Sequence, residues 1–214
     1  MSSPHKKGLF VSFEGIDGSG KSTQAKELAA RLSVLGYDTV LTREPGGSHG
    51  AEEIRALLVQ GDPDRWSPET EILLFTAARR DHLEKTILPA LAEGKIVITD
   101  RFADSTRVYQ GAARAELTQT VDALHDLMIG RNPDVTILVD MDPQTALMRG
   151  LARNSGEDRF EDFGLPFQEA LHAGFLALAK REPRIHTVDG RGEIQEISDQ
   201  VLAIVENHLK RDHV

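Results

Sequence analysis

The sequence contains no cysteine, and its 34 acidic residues outnumber its 25 lysines and arginines, which gives a formal net charge of −9 at pH 7. The absence of cysteine excludes disulfides, thiolate nucleophiles and thiolate zinc sites. It also fits a reducing cytoplasm, which is the location we expect. The acidic balance argues against a nucleic-acid partner, because a nucleic-acid-binding surface needs a basic stripe. Small anionic ligands remain allowed, since they need only a local cluster of arginine and lysine.

Long hydrophobic runs are also missing. The apolar stretch at residues 9–13 is too short for the core of a signal peptide, and no later stretch approaches the length of a membrane span. We therefore expect no membrane partner. The 214 residues are 40% hydrophobic and 28% charged, which is ordinary for a globular protein and too apolar for disorder. This length suits a single domain over residues 1–214.

Strand-like and helix-like segments alternate along the chain. Strand patterns fall near residues 9–13, 38–42, 95–99, 135–139 and 185–188. Helical patterns fall near residues 20–35, 49–59, 68–93, 116–129, 143–152, 161–182 and 194–210. This order predicts a three-layer α/β fold, with a mostly parallel five-stranded sheet and helices on both faces. Pro89 predicts a kink or an early end in the helix near 68–93.

The first strand and the first helix flank a phosphate-binding pattern, G-x-x-x-x-G-K-[ST]. The residues that fit it are Gly15, Ile16, Asp17, Gly18, Ser19, Gly20, Lys21 and Ser22. A turn of this kind gathers backbone N–H groups, and the following helix adds its positive end, so polyphosphate oxygens meet donors from several sides. Lys21 would supply a positive charge near the β- and γ-phosphates, and Ser22 a ligand for Mg²⁺. A chance glycine-rich turn is the alternative, and the flanking strand and helix make it a poor one.

Polar residues follow the next two predicted strands, at the sheet edge where ligands bind in folds of this type. Asp100 and Arg101 come directly after the third strand. Asp100 would hold or orient Mg²⁺, with capping of the next turn as the structural alternative. Arg101 would clamp a phosphate. The loop at residues 43–47, Arg-Glu-Pro-Gly-Gly, follows the second strand; alone it indicates only a tight turn.

Two pairs of residues four apart lie on predicted helices and share a helix face. Phe75 and Arg79 combine an aromatic plane with a fork of donors, which suits a nucleobase, although Phe75 alone is more often a core residue. Arg149 and Arg153 adjoin a glycine-containing polar segment. A charge pair is usually a solvated face. Beside a phosphate loop, however, this pair suggests a closing lid, about residues 149–160, that brings cations onto phosphates.

Taken together, these segments resemble bacterial thymidylate kinases, a family of phosphate-loop nucleoside monophosphate kinases. The resemblance spans nearly the whole chain and rests on residues 13–23, 42–47, 73–79, 100–102 and 104–111. No single piece is decisive, and the combination is highly specific. It implies transfer of the ATP γ-phosphate to dTMP, giving dTDP and ADP in dTTP synthesis. It also implies Mg²⁺ as cofactor and a homodimer.

The resemblance assigns residues to both substrates. For dTMP it implies Asp17, Arg43, Glu44, Pro45, Phe75, Arg79, Arg101, Ser105, Thr106, Tyr109 and Gln110. For ATP it implies Gly15, Ile16, Asp17, Gly18, Ser19, Gly20, Lys21, Ser22, Thr23, Arg149 and Arg191. Phe75 would stack on thymine and Arg79 would donate to thymine O4. Tyr109 would crowd the 2′ position and favour deoxyribose, and Asp17 would approach the 3′-hydroxyl.

The resemblance also indicates where the catalytic arginine lies. One branch of the family carries an arginine inside the phosphate loop, where this chain has Gly18 and Ser19. The lid must then supply it, with Arg153 as the first candidate, Arg149 in support and Arg159 as a third. Lys21 and Arg101 complete the implied catalytic set.

Other functions remain open at this point. A regulatory GTPase would need an Asn-Lys-x-Asp motif, which the sequence lacks. A kinase for free deoxynucleosides, or for another pyrimidine monophosphate, shares the fold. A non-catalytic nucleotide-binding module would have little reason to keep Lys21, Ser22 and Asp100 together. The choice between dTMP and dUMP depends on room for one methyl group, about 1–3 kcal/mol.

Overall fold

The structure is a computed structural model, and it describes residues 8–60, 65–113, 116–152 and 164–211. One sheet contains the strands β1 (Leu9–Glu14), β2 (Thr39–Arg43), β3 (Ile96–Asp100), β4 (Val135–Asp140) and β5 (Ile185–Asp189). Their spatial order is β2-β3-β1-β4-β5, and each neighbouring pair is parallel. The predicted five-stranded α/β fold is confirmed, and the strands of this sheet are all parallel rather than mostly so.

Helices connect the strands and cover the sheet. They are α1 (Lys21–Val34), α2 (His49–Val59), α3 (Pro68–His82), α4 (Leu88–Ala92), α5 (Ala103–Ala113), α6 (Leu117–Leu124), α7 (Pro143–Leu151), α8 (Gly164–Arg181) and α9 (Ile194–Arg211). π-helical turns extend α3 at Leu83–Ile87 and α6 at His125–Ile129. None of the helices described is long and apolar enough to cross a membrane.

The central strands are largely apolar because helices bury both of their faces. Successive side chains of a strand point to opposite faces. Val11 of β1 accordingly belongs to a core with Leu28 of α1 and Val201 of α9. Phe10, its neighbour in β1, belongs to a core on the other face, with Ile87 of the π-helical turn after α3. This packing fixes the carboxyl ends of β1, β2 and β3 side by side at one edge.

The sequence patterns did not predict helix α5, because its buried positions are mostly polar. Asp104, Ser105, Thr106 and Gln110 are each at most 8% exposed. A pattern search looks for apolar residues at helical spacing, and here that spacing carries carboxylate, hydroxyl and amide groups. Buried polar groups need partners, so this helix face indicates a polar interior rather than a hydrophobic core.

Pro89 does not end the helix that begins at Pro68. The helical backbone continues through Pro89 to Ala92, and the turn just before it is π-helical, with the Leu88 N–H donating to the Leu83 carbonyl. Proline lacks an N–H and crowds the carbonyl four residues earlier, and a widened turn accommodates both effects. The predicted early end is therefore wrong.

His125, at the start of the second π-helical turn, is a buried histidine with no visible ionic role. The side chain is 3% exposed, and neither ring nitrogen has a hydrogen-bond partner among the residues described. Burial, together with the nearby Arg107 and Arg79, lowers the pKa of His125 from 6.5 to about 4. The folded protein therefore keeps this imidazole neutral at pH values where the unfolded chain protonates it.

This difference predicts a pH-dependent loss of stability. Between pH 6.5 and about 4 the unfolded state binds a proton that the folded state does not, so the free energy of unfolding falls as the pH falls. Urea unfolding of the wild type and of His125→Leu at pH 7.5 and pH 5 measures the effect. The variant should lose less stability than the wild type between the two values. An equal loss in both proteins would show that His125 does not contribute.

Candidate active site

The carboxyl ends of β1, β2 and β3 open onto a cavity of about 460 Å³. Every residue predicted for the acceptor site lines it, together with the phosphate-loop residues Asp17, Gly18, Lys21 and Ser22 and the predicted metal ligand Asp100. The sequence patterns missed four further lining residues, Arg55, Leu58, Val59 and Phe102. The first three lie on α2. In the sequence, the only indication of their role was that this helix directly follows the loop after β2.

The phosphate loop joins β1 to α1 through two left-handed glycines. Gly20 has a φ of 99° and immediately precedes α1, and Gly18 has a φ of 82°. A Cβ atom at Gly18 would overlap the backbone carbonyl of Ala146 in α7. The close approach of α7 therefore leaves no room for any side chain at position 18.

Asp17 holds three polar side chains at the mouth of this loop. Its carboxylate accepts from Arg101 at 2.5 Å, from the Tyr109 hydroxyl at 2.8 Å and from the Lys21 ammonium at 3.2 Å. Burial alone would raise the pKa of Asp17, but the positive charges of Arg101 and Lys21 outweigh it and hold this pKa well below its usual range. Asp17 is therefore ionised at neutral pH and keeps two cations close together.

Lys21 is buried beside a second cation. Burial lowers the pKa of Lys21, and the Arg101 charge lowers it further, while Asp17 and Asp100 oppose the shift. The ammonium also donates to the Ile16 carbonyl at 3.2 Å. Two neighbouring cations at the cavity favour an anionic ligand, because such a ligand relieves their mutual repulsion.

The backbone at Arg101 is unusual. Its φ is 71°, a left-handed conformation that costs a residue with a side chain about 1–3 kcal/mol. The surrounding contacts impose it: the Arg101 N–H donates to the Phe13 carbonyl at 2.9 Å, and the guanidinium donates to Ser105 at 2.8 Å. A strained residue held this firmly at a strand end is typical of a functional site.

Glu14, the last residue of β1, is a second buried carboxylate in the site. Its two oxygens accept from the Phe102 N–H at 2.8 Å and from the Ser105 hydroxyl at 2.6 Å. Burial, and then the charge of Asp104, raises the pKa of Glu14 to about 7. The sequence analysis gave Glu14 no role, although a carboxylate at the end of an otherwise apolar strand was a signal.

Glu44 and Arg79 form a buried ion pair at the far wall of the cavity. Glu44 is 6% exposed and Arg79 is 4% exposed, and the Arg79 Nε donates to the Glu44 carboxylate at 2.7 Å. A second guanidinium nitrogen of Arg79 donates to Thr106 Oγ1 at 2.9 Å. Phe75, one turn earlier on α3, is half-buried and lines the same cavity. The two residues therefore share a face that points at the cavity, as their spacing predicted.

The remaining acceptor residues complete the walls. Gln110 lies within 3.4 Å of the buried Glu71 carboxylate, to which its amide donates. Arg43 is more exposed and donates to Glu52 at 3.1 Å. Arg55 reaches back from α2 and donates to the Pro45 carbonyl at 2.6 Å. Residues of β2, α2 and α5 thus form the polar walls of one cavity.

The predicted metal ligands fit a hydrated divalent cation. One carboxylate oxygen of Asp100 is buried and has no hydrogen-bond partner within the described ranges, and the Ser22 side chain lines the same cavity. The described part of the chain holds no group of three or more acidic or histidine side chains that would bind a metal alone. Mg²⁺ does not need one, since it usually keeps waters and binds through one or two protein ligands and substrate phosphates.

Two residues predicted for the ATP side, Arg149 and Arg191, lie outside this cavity. Arg149 is exposed near the end of α7, one turn after the Ala146 carbonyl that abuts Gly18. Arg191 is exposed in the connection between β5 and α9, where it pairs with Asp189 at 2.7 Å. Neither lines the cavity. Arg153 and Arg159, with most of the predicted lid, fall outside the residues that the structure describes.

The fold and the site together define a class of protein. In the parallel sheet, β1 leads into a phosphate loop, and Asp100 and Arg101 lie at the end of the adjacent strand β3. One cavity is lined both by the loop and by the buried Arg79 of α3. These are the features of a phosphate-loop kinase of the nucleoside monophosphate type.

Comparison with known proteins identifies the family within this class. The thymidylate kinase family model matches residues 13–201. A thymidylate kinase of Dinoroseobacter shibae is 68% identical over 197 residues, covering 92% of this chain and 95% of that protein. One from Ruegeria pomeroyi is 62% identical over 205 residues, covering 95% of this chain and 97% of that protein. The crystal structure of thymidylate kinase from Ehrlichia chaffeensis matches with a TM-score of 0.74 at 36% identity, covering 92% of this chain and 98% of that chain. The chain belongs to the thymidylate kinase family.

Proposed function

We propose that this protein transfers the γ-phosphate of ATP to dTMP, giving dTDP and ADP, and that the cavity at the ends of β1, β2 and β3 is the dTMP site. The observation that carries the proposal is the continuity of this cavity. Its lining includes Lys21 of the phosphate loop as well as Phe75 and Arg79 of α3. Donor and acceptor phosphates therefore meet at the phosphate loop.

Base recognition rests on Arg79. An arginine side chain only donates hydrogen bonds, thymine offers an acceptor at O4, and cytosine offers an N4 donor at the equivalent position. The contacts with Glu44 and Thr106 hold the guanidinium in one orientation, so it cannot turn away from the wrong base. A cytosine there would leave two donors facing each other in a buried site, which is costly.

Sugar recognition rests on Tyr109 and Asp17. The Tyr109 hydroxyl donates to Asp17, and its ring is wedged against Phe167 and Phe175 at centroid distances of 6.2 and 6.5 Å. This ring is therefore fixed, and we assign to it the exclusion of a 2′-hydroxyl. We assign the 3′-hydroxyl to the Asp17 carboxylate, and the acceptor phosphate to Arg43, Arg101 and the loop after β2.

The residues that would hold Mg²⁺ are Ser22 and Asp100, in keeping with the buried and unpartnered Asp100 oxygen. When bound there, the ion would supply positive charge that neutralises the transferred group. The protein's own residues place the reactants in line: the phosphate loop holds ATP, and Arg101, fixed by Asp17 and Ser105, orients the acceptor phosphate.

The catalytic arginine of this proposal comes from the lid, about residues 149–160 of a single domain over residues 1–214. The packing of Ala146 against Gly18 supports this, because it excludes an arginine side chain from that position of the loop. Arg153 is the first candidate, with Arg149 beside it and Arg159 as a third. We further assign adenine to the neighbourhood of Arg149 and Arg191.

We also propose a homodimer. Leu57, Leu73, Leu127 and Met128 are large apolar side chains that are 38–79% exposed. They lie on α2, on α3 and on the π-helical turn after α6, and α3 packs against both of the others. Apolar side chains clustered on adjacent helices are typical of an interface between subunits. Sedimentation velocity measures the mass of the assembly.

The cytoplasmic location stays a prediction.

The acceptor is tested by measuring ADP release from MgATP with dTMP, dUMP, dCMP, dGMP and thymidine in turn. We expect dTMP to give the highest kcat/KM, with dCMP lower by about three orders of magnitude because Arg79 meets a donor. Omission of Mg²⁺ should abolish ADP release. Faster consumption of ATP with thymidine would indicate a deoxynucleoside kinase, and preference for another monophosphate would overturn the assignment of the base.

The role of Phe75 is tested by Phe75→Ala. Loss of a stacking face should raise KM for dTMP by about tenfold or more, because stacking on an aromatic ring is worth about 1–3 kcal/mol per base. The KM for ATP should stay within about twofold, since Phe75 lies at the far end of the cavity. Leu88→Ala, an exposed apolar position on α4 that lies outside the cavity and the proposed dimer interface, is the control. Equal losses for both substrates would indicate a structural role for Phe75.

The lid arginine is tested by Arg153→Ala alongside Arg149→Ala. An arginine aimed at the transferred phosphoryl group accelerates transfer by about 10³–10⁵. We expect Arg153→Ala to lower kcat by a factor in this range while changing KM for ATP much less, because the contact forms chiefly in the transition state. Single-turnover kinetics separates the chemical step from product release. An unchanged kcat for Arg153→Ala would remove it from the catalytic set.

A further inference from the structure

His82 is a fully buried histidine that touches the acceptor loop without lining the cavity. It is 0% exposed and is the last residue of α3. Its Nδ1 lies 3.0 Å from the Glu44 Oε1, and its Nε2 lies 2.8 Å from the Thr42 Oγ1. Thr42 and Glu44 flank Arg43 at the end of β2. The imidazole therefore bridges two side chains of the loop that we assign to the acceptor.

The direction of these hydrogen bonds follows from their partners. An ionised carboxylate only accepts, so His82 Nδ1 carries the proton and donates to Glu44. In the neutral ring Nε2 is then an acceptor, and the Thr42 hydroxyl donates to it. Both ring nitrogens are satisfied at once, which locks the orientation of a ring that has no access to water.

The contact continues from Glu44 to the residue that reads the base. Glu44 uses one oxygen for His82 and the other for the Arg79 Nε, at 3.0 and 2.7 Å. His82 and Arg79 are three residues apart on α3 and so lie on the same helix face. The carboxylate is therefore clamped between two residues of one helical turn, and both of its oxygens are fixed.

The backbone of the loop also packs on this imidazole. Gly47 has a φ of 86°, and a Cβ atom there would overlap both the His82 ring and the Thr42 hydroxyl. The Thr86 hydroxyl, in the π-helical turn that follows His82, donates to the Gly47 carbonyl at 2.7 Å. The loop is thus seated on α3 and its π-helical extension at both ends.

We propose that His82 is a positioning residue for base specificity: it fixes Glu44, and through Glu44 the guanidinium of Arg79. This inference rests on the proposed role of Arg79 in reading the base. Without the donor at His82 Nδ1, the Glu44 carboxylate keeps only its contact with Arg79 among these two, so both side chains are held less firmly in the orientation that distinguishes an acceptor from a donor on the base.

Three substitutions at His82 separate its two contacts. His82→Asn places an amide nitrogen as many bonds from the backbone as Nδ1, and so keeps a donor for Glu44. His82→Gln places its amide as far out as Nε2, and so keeps only the group facing Thr42. His82→Phe keeps the ring and removes both contacts. The readout is kcat/KM for dTMP divided by kcat/KM for dCMP, with KM for ATP and thermal stability measured in parallel.

We expect His82→Phe and His82→Gln to lower the dTMP-to-dCMP ratio by about tenfold, the scale of one charge-assisted hydrogen bond, through a higher KM for dTMP. His82→Asn should restore most of the ratio, and KM for ATP should stay within about twofold in all three. If His82→Phe does not fold, the comparison of His82→Asn with His82→Gln remains decisive. Equal ratios in these two variants would overturn the proposal.

Arg79→Gln, alone and combined with each His82 variant, shows which proposal fails if one does. If His82 acts through Arg79, its substitution should not change the ratio further in the Arg79→Gln background. An additional and independent loss there would show that His82 affects specificity by another route. An unchanged ratio in Arg79→Gln alone would instead refute the assignment of Arg79 to the base. A loss in Arg79→Gln with none in any His82 variant would refute only the role of His82.

Discussion

The ion pair between Asp17 and Arg101 is the interaction on which the rest of the site depends. It joins the phosphate loop after β1 to the end of β3, and it brings Lys21 and Tyr109 to the same point. A partly buried arginine beside a buried lysine is tolerated only where a carboxylate compensates both charges. Phosphate groups entering this corner offer the same compensation. The free site is therefore organised around a protein carboxylate that stands in for the charge of its ligands.

The same arrangement recurs around the cavity, and it explains how an acidic protein presents a cationic site. Arg79 is held by Glu44 and Arg43 by Glu52, while Glu14 holds the Ser105 hydroxyl that also receives Arg101. Arg43, Arg79 and Arg101 thus each have a carboxylate partner that sets the direction of the guanidinium. The net charge of −9 includes these anchors. It says little about the local potential at the strand ends, where the guanidinium and ammonium groups face the cavity.

Continuous segments were predictable, and contacts between distant segments were not. The phosphate loop, the Asp100-Arg101 pair and the Phe75–Arg79 spacing are patterns of neighbouring residues, so the sequence could point to them, and the structure brings them to one cavity. His82 and Glu14 act through partners 38 and 88 residues away, and such partners appear only when the chain is folded. Helix α5 was not predicted because most of its buried side chains are polar, and the periodicity of apolar residues indicates only hydrophobic burial. The early helix end predicted at Pro89 is wrong because a π-helical turn, which the sequence patterns do not predict, accommodates the proline.

The packing of α7 links the fold to the position of the transferred phosphoryl group. Because Ala146 abuts Gly18, the phosphate loop carries no side chain on that side. The same contact prevents the loop from carrying an arginine at position 18. Arg149 stands one turn further along the same helix, so the element that excludes a side chain from the loop is also the one that leads into the lid. In the proposed function, the buried ion pair of Glu44 and Arg79 holds the base-reading side of the cavity in place, whereas the catalytic arginine comes from the segment after α7.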